Sequence, residues 1–195
     1  MSLKGYIRSW GGQAIRHIPD ISDNKVYDFK YCALSRNNRW NVQGEPTLYL
    51  AKDKSVAIGE FARHFSDNRS QTLAKKIQRR QIWRFKVELN KTLDLCDLEI
   101  CSALSLTDAP YCFEDKRVAR STANFMRNSL KVEAVFVPSM VFIDDLSKWC
   151  LVIFLENLPE NAVHFLPKAE KHGHIEIAIT LQAKESKIIP RTYQL

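Results

Sequence analysis

The chain has 195 residues, 45% of them hydrophobic and 26% charged, with a net charge of +7. That is apolar material enough for one folded domain and excludes a disordered chain. The basic excess suits an anionic partner, but it is spread along the sequence, and the densest run, KKIQRRQIWRFK at 75–86, is too short to indicate a dedicated nucleic-acid surface. The five cysteines (Cys32, Cys96, Cys101, Cys112 and Cys150) include no CxxC pair, so neither a zinc site nor a disulfide framework is indicated, and reduced thiols in a cytoplasmic protein are expected. The N-terminus, MSLKGYIRSWGGQ, has no apolar leader, and the longest apolar run, WCLVIFL, is too short to span a bilayer.

Residues 1–50, rich in aromatics, Asn, Gly and Pro, predict turns and short strands. PTLYLA at 46–51 predicts a strand. A helix follows, capped by Asp53 or Ser55, with Ala57, Phe61 and Phe65 at i, i+4 and i+8 on one face. The polar segment 66–80 reads as a loop passing into helix. In IWRFKVELN, Trp83, Phe85, Val87 and Leu89 alternate with Arg84, Lys86 and Glu88, the pattern of a half-buried strand, and TLDLC continues it. Residues 114–128 predict a helix with Val118, Thr122, Phe125 and Met126 toward the core. VEAVFVPS and WCLVIFLEN are two further apolar strands. Beyond Leu158 the signal weakens: AVHFLP and HIEIAITL suit edge strands or a hairpin, and the last dozen residues a tail. Helices mixed with directly joined strands favour an α+β or mixed α/β domain over a strict βαβ series.

P-loop, GxGxxG, HExxH and GxSxG motifs are all absent. What stands out is a set of polar residues in apolar settings. Arg39 precedes Trp40 and a turn built on Gly44 and Pro46. Its guanidinium is a fork matched to phosphate or carboxylate, or else a surface group stacked on Trp40. Tyr49 is either a stacking platform for a flat heterocycle or a core ring. Glu60 adjoins the apolar stripe of its helix, as a half-buried site carboxylate would, the alternative being a solvated one. Ser139 closes a buried strand, where it is a site residue or a plain turn serine. Arg16 lies between Ile15 and Ile18, available to a ligand or to a structural ion pair.

Taken together, IRHIP, RWN followed by GEPTLYLA, a helix carrying AIGE, and VPS resemble the RES domain family across residues 12 to 158. The resemblance implies a fold similar to the ADP-ribosyltransferase group, a split mixed β-core with flanking helices around an NAD cleft. It also implies attack on NAD+ by hydrolysis or phosphorolysis, or in a few members transfer of ADP-ribose to a protein. By matched position it implies catalytic roles for Arg16, Glu60 and Ser139, and NAD+ binding by Arg39, Tyr49 and the neighbouring His17, which stands where an aromatic residue is common. Asn37 and Asn38 replace a Gly-Gly pair found in many members. An Xre-type antitoxin is the implied partner; a homodimer is admissible. No cofactor or metal is expected beyond NAD+ as substrate, with inorganic phosphate as a co-substrate if the reaction is phosphorolysis. Residues 1–158 are expected to form the catalytic domain and 159–195 an extension packed on it. The reading from another class is a non-enzymatic module that binds nucleic acid or a protein through its basic face.

The residue types suit this chemistry. Cleaving the nicotinamide–ribose bond builds positive charge on the ribose, much as in glycoside cleavage, and a fixed carboxylate stabilises it. Glu60 is the acid available for that role.

Overall fold

The longest element is the strand that the alternation of IWRFKVELN announces. In the structure, a computed structural model that describes residues 3–20, 26–29, 32–34, 36, 38–67, 77–159 and 168–178, β3 runs from Ile77 to Asp94, with Phe85, Val87 and Leu89 buried. It starts earlier than the polar sequence predicts: residues 77–80, expected to lead into a helix, are already strand. Pairing on both sides explains this. β3 is flanked by β1 (Arg8–Pro19) and by β6 (Lys168–Ala178), both antiparallel, so its backbone groups are satisfied whatever its side chains prefer.

β1 is the second departure from the sequence reading, which expected short strands and turns before residue 50. It is twelve residues long and pairs with β3 from Arg8↔Thr92 to Pro19↔Arg80. The glycines that suggest a turn serve packing instead. A Cβ at Gly12 would lie 2.4 Å from the Trp10 indole, so the position is glycine because the ring covers it.

The remaining strands are β2 (Thr47–Ala51), β4 (Ala134–Pro138) and β5 (Trp149–Phe154), each on a predicted apolar run. The order is β1-β2-β5-β4-β3-β6, and β1 also pairs with β3, so the first five strands close into a ring with β6 outside it. All pairings are antiparallel except β3 with β4. The ring has one weak seam. β1 meets β2 at a single register position, Ile15↔Ala51, whereas β2 and β5 pair along five. Beyond Ile15 the two strands diverge and the core splits.

Helices cover the strands on the outside. α1 (Lys54–Asp67) packs Val56, Ala57 and Phe61 on Ile15, Ala51, Ile82 and Ile175. α2 (Leu98–Ala103) and α3 (Lys116–Asn128) cover Val135, Val137, Val152 and Phe154. In α3 the buried face is carried by Ala119, Thr122, Ala123 and Met126, while Phe125, expected inside, is 37% exposed. The two alanines define the stripe at i and i+4, and Phe125 falls off it. Arg127 is buried in the same helix, its charge met by Glu156 and its guanidinium 4.3 Å over Phe154.

Of the weak signals after Leu158, the HIEIA portion lies in β6, an edge strand as expected; AVHFLP and the final residues lie outside the described residues. Among the described residues, no helix is long and apolar enough to cross a membrane. The architecture is a mixed α+β domain with a split β-core and flanking helices.

Candidate active site in the split of the sheet

Where β1 and β2 part, a cavity of about 720 Å³ opens, lined by residues 15–19 of β1, residues 47–51 of β2 and the inner face of α1. That size accommodates a large organic ligand. Arg16, His17, Arg39, Tyr49 and Glu60 all line it. Arg16 and His17 are adjacent on a strand and point to opposite faces, yet both reach the cavity because the strand's free edge there is not covered by β2.

Glu60 reaches this wall because α1 begins where it does. Asp53 caps the helix, its carboxylate accepting from the Val56 N–H at 2.9 Å. Burial would raise the Asp53 pKa, but Lys148, Ser55 and the Val56 N–H outweigh it and hold the group at about 2. Seven residues on from the cap, Glu60 sits half-buried beside Phe61 and accepts a hydrogen bond from the Ser139 hydroxyl at 2.7 Å. The Val141 N–H approaches the same Oε1 at 3.4 Å. Ser139 itself is 0% exposed and is not part of the cavity wall: it stands behind the carboxylate and orients it. A second neighbour of Glu60 is Cys150. Burial, with Glu60 next in effect, raises its thiol pKa well above the usual value, so it is a neutral part of the wall and no nucleophile.

Arg39 is placed by the turn that follows it. The Tyr49 hydroxyl donates to Asn41 Oδ1 at 2.8 Å and accepts from the Trp40 N–H at 3.2 Å, so the strand tyrosine ties down the Arg-Trp-Asn segment. Burial raises the Tyr49 pKa, and the phenol stays protonated. Trp40 is buried against Phe113, and Arg120 of α3 donates twice to the Asn38 carbonyl, at 2.7 and 3.1 Å. Arg39 Nη1 donates to the carbonyls of Phe113 and Glu114, at 2.6 and 2.7 Å. The guanidinium is thus fixed by the backbone before any ligand arrives.

On the β1 wall, Arg16 donates to the Val26 carbonyl at 2.7 Å and lies over the Phe29 ring, and burial lowers its pKa against the opposing effects of Cys32 and Asp28. His17 packs edge-on to Phe61 with ring centroids 4.8 Å apart. Its pKa is pulled down to about 3, by burial first and then by Arg80, Arg16 and His64, so the ring is neutral at physiological pH. Arg80 was not expected here, because the sequence places it in a loop. It donates to His17 Nδ1 from both Nε and Nη2, at 3.2 and 3.0 Å. One signal could have found it. Ile82 breaks the alternation of β3, marking a strand buried on both faces, and Arg80 lies two residues back on that second face.

In total, five cationic side chains (Arg16, Arg39, Arg63, Arg80 and Lys116) and two carboxylates (Asp28 and Glu60) line the cavity. Its chemical character is an anion-attracting cleft with one firmly oriented carboxylate. No group of His, Cys, Asp and Glu among the described residues has the geometry of a metal site.

Comparison with known proteins identifies the family and the fold. A family model, the RES domain, matches residues 16–174, so the match continues past the expected boundary at 158 and takes in most of β6. The fold is similar to that in a crystal structure of the M. tuberculosis MbcT–MbcA toxin–antitoxin complex. The TM-score is 0.58 and the identity 13%, over 88% of this chain and 86% of that one. No curated protein matches the chain.

Proposed function

The chain belongs to the RES domain family, and from that premise we propose that it consumes NAD+ by cleaving the nicotinamide–ribose bond, as the toxin of a toxin–antitoxin pair. The observation that carries this reading is the Glu60 carboxylate, fixed by Ser139 at 2.7 Å on the wall of a cavity whose charged lining has five cations to two carboxylates. Such a site suits a substrate with a diphosphate at one end and a developing cation at the other. When the C–N bond to C1′ breaks, its electron pair returns to the nicotinamide nitrogen and neutralises the ring. The positive charge passes to the ribose as an oxocarbenium ion, and Glu60 is the group able to stabilise it. The leaving group departs neutral and needs no general acid. Water adding at C1′, with loss of a proton, gives ADP-ribose; inorganic phosphate adding there gives the 1-phosphate ester. Arg39 and Arg16 supply phosphate contacts, and the similarity to a chain crystallised in a toxin–antitoxin complex motivates an antitoxin partner.

The test is direct. Purified protein incubated with NAD+ is expected to release nicotinamide, and Glu60→Gln, which keeps the shape and loses the charge, to lower turnover about a hundredfold or more while NAD+ still binds. Release that accelerates with added phosphate identifies phosphorolysis; labelled protein identifies transfer. Equal release by wild type and Glu60→Gln defeats the assignment of Glu60, and no release under any of the three conditions defeats the reading.

A further inference from the structure

The cation on the β3 wall has no role in the chemistry just described. Arg80 faces Pro19 in the β1–β3 register, and its guanidinium lies 4.5 Å over the Phe61 ring, at the side of the cavity that α1 closes. Two of its nitrogens converge on His17 Nδ1. An arginine only donates, so Nδ1 must be the unprotonated nitrogen and the His17 proton must sit on Nε2. The histidine is thereby a neutral acceptor that fixes the direction of the guanidinium, and a neutral acceptor leaves its charge uncompensated.

Among the described residues no carboxylate forms an ion pair with Arg80, and its charged neighbour is another cation, Arg16. Burial and Arg16 together pull the Arg80 pKa down to about 10, in the direction that a missing counter-charge requires. Arg80 is held half-buried without an ion-pair partner beside a second cation, Arg16, whose own neighbouring carboxylate is Asp28, so the Arg80 charge raises the energy of the empty cavity and an oxyanion between the two arginines would lower it. Contacts that serve stability alone would not favour such an arrangement: an apolar residue on Phe61 would pack as well without the desolvation cost.

We propose that Arg80 is a phosphate-binding residue of the cavity, aimed by His17 and acting with Arg16 on one oxyanion. The proposal rests on the NAD+ reading only for the identity of the substrate, whose diphosphate is one source of that oxyanion; free inorganic phosphate or pyrophosphate is the other.

The experiment measures binding of ADP-ribose and of inorganic pyrophosphate, at fixed ionic strength, to wild type and to Arg80→Ala, Arg80→Lys and Arg79→Ala. Arg79 is the control for net charge, since it is paired with Glu176 and is not part of the cavity wall. Arg80→Ala is expected to weaken binding of both probes by about tenfold or more, the size of a lost charge-assisted hydrogen bond. Arg80→Lys, which keeps the charge and the fold but not the fork, should recover part of the loss, and Arg79→Ala should stay within about twofold of wild type. A loss confined to pyrophosphate supports the site and names free phosphate as its ligand; a loss confined to ADP-ribose supports it and names the dinucleotide. Unchanged affinity for both probes in Arg80→Ala overturns the proposal. So does an equal loss in Arg79→Ala, or a wild type that binds neither probe. Nicotinamide release, assayed in parallel, keeps the two readings apart: pyrophosphate binding that depends on Arg80 without any release retains this proposal and removes the other.

Discussion

Ser139 and His17 each act on a neighbour rather than on open space, and that decides how their substitution should read out. With Ser139→Ala, Glu60 keeps only the 3.4 Å approach of the Val141 N–H. The carboxylate then loses its orientation but not its charge. In the proposed reaction kcat should fall about tenfold with KM within about twofold, the pattern of an interaction that matters mainly in the transition state; a KM change alone would contradict this. For His17 the prediction concerns pH. Its folded pKa is about 3 against an ordinary 6.5, so between those values the unfolded chain binds more protons than the folded one. The stabilisation is therefore complete above pH 6.5 and is lost as the pH falls toward 3, by up to about 1.4 kcal/mol per unit. His17→Gln keeps an acceptor for Arg80 and cannot titrate. Urea unfolding at pH 7 and pH 5 should show wild type losing up to about 2 kcal/mol more than the variant, and parallel losses would mean that His17 is not held neutral. Arg16, Arg39, Tyr49 and Glu60 could be picked out of the sequence as residue types in unusual settings, and the fold brings all four to one cavity. What the sequence could not convey is which of them spend hydrogen bonds on one another. The Tyr49 hydroxyl is engaged with the Arg-Trp-Asn turn, and Ser139 stands behind the wall.

At the scale of elements, legibility followed burial contrast. β3 and β5 were readable because their apolar residues alternate or run together; β1 was not, since its outer half exposes Arg8, Ser9, Gly11 and Gln13, and its glycines imitate a turn. The sequence offers Asp53 or Ser55 as the start of α1, and the structure selects Asp53, whose carboxylate accepts from the Val56 N–H while Lys148 pairs with its other oxygen at 2.7 Å. Two substitutions separate these contributions. Asp53→Asn retains an equally good cap and removes an ion pair that is partly exposed, so it should cost about 0.5 kcal/mol or less. Asp53→Ala removes both and should cost about 1–2 kcal/mol in chemical unfolding. The folded Asp53 pKa of about 2 lies below the ordinary 3.8, so its contribution is present above 3.8 and lost as the pH falls through 2. Because α1 carries Glu60, fraying of its first turn by Asp53→Ala should also lower turnover, whereas Asp53→Asn should not. Identical behaviour of the two variants would show that the cap does not govern the helix.

At the scale of the whole molecule, the least legible part of the sequence turns out to support the site. β6 has alternating charge, a glycine at φ +102° and few large apolar residues, which is why its signal was weak. Yet Ile175 is 2% exposed and belongs to the same cluster as Ile15, Ala51, Ala57, Phe61 and Ile82. That cluster is the floor on which α1 rests, and Phe61 and Ile15 are also walls of the cavity. Removing β6 would strip one side of β3 of its backbone partners from Ile77 to Lys86, the stretch that carries Arg80. A chain ending at residue 159 is therefore expected to fold poorly, with a midpoint well below that of the full chain or no cooperative transition at all. Since a truncation can fail for trivial reasons, the point version is the sharper test. Ile175→Ala leaves every strand pair intact and deletes only the buried side chain, which should cost about 2–4 kcal/mol. If β6 supports the site through this cluster, the variant should also bind ADP-ribose more weakly at temperatures where it is still fully folded, because Phe61 loses packing from beneath. If β6 is an independent edge strand, Ile175→Ala will lower the unfolding midpoint and leave the affinity of the folded protein unchanged.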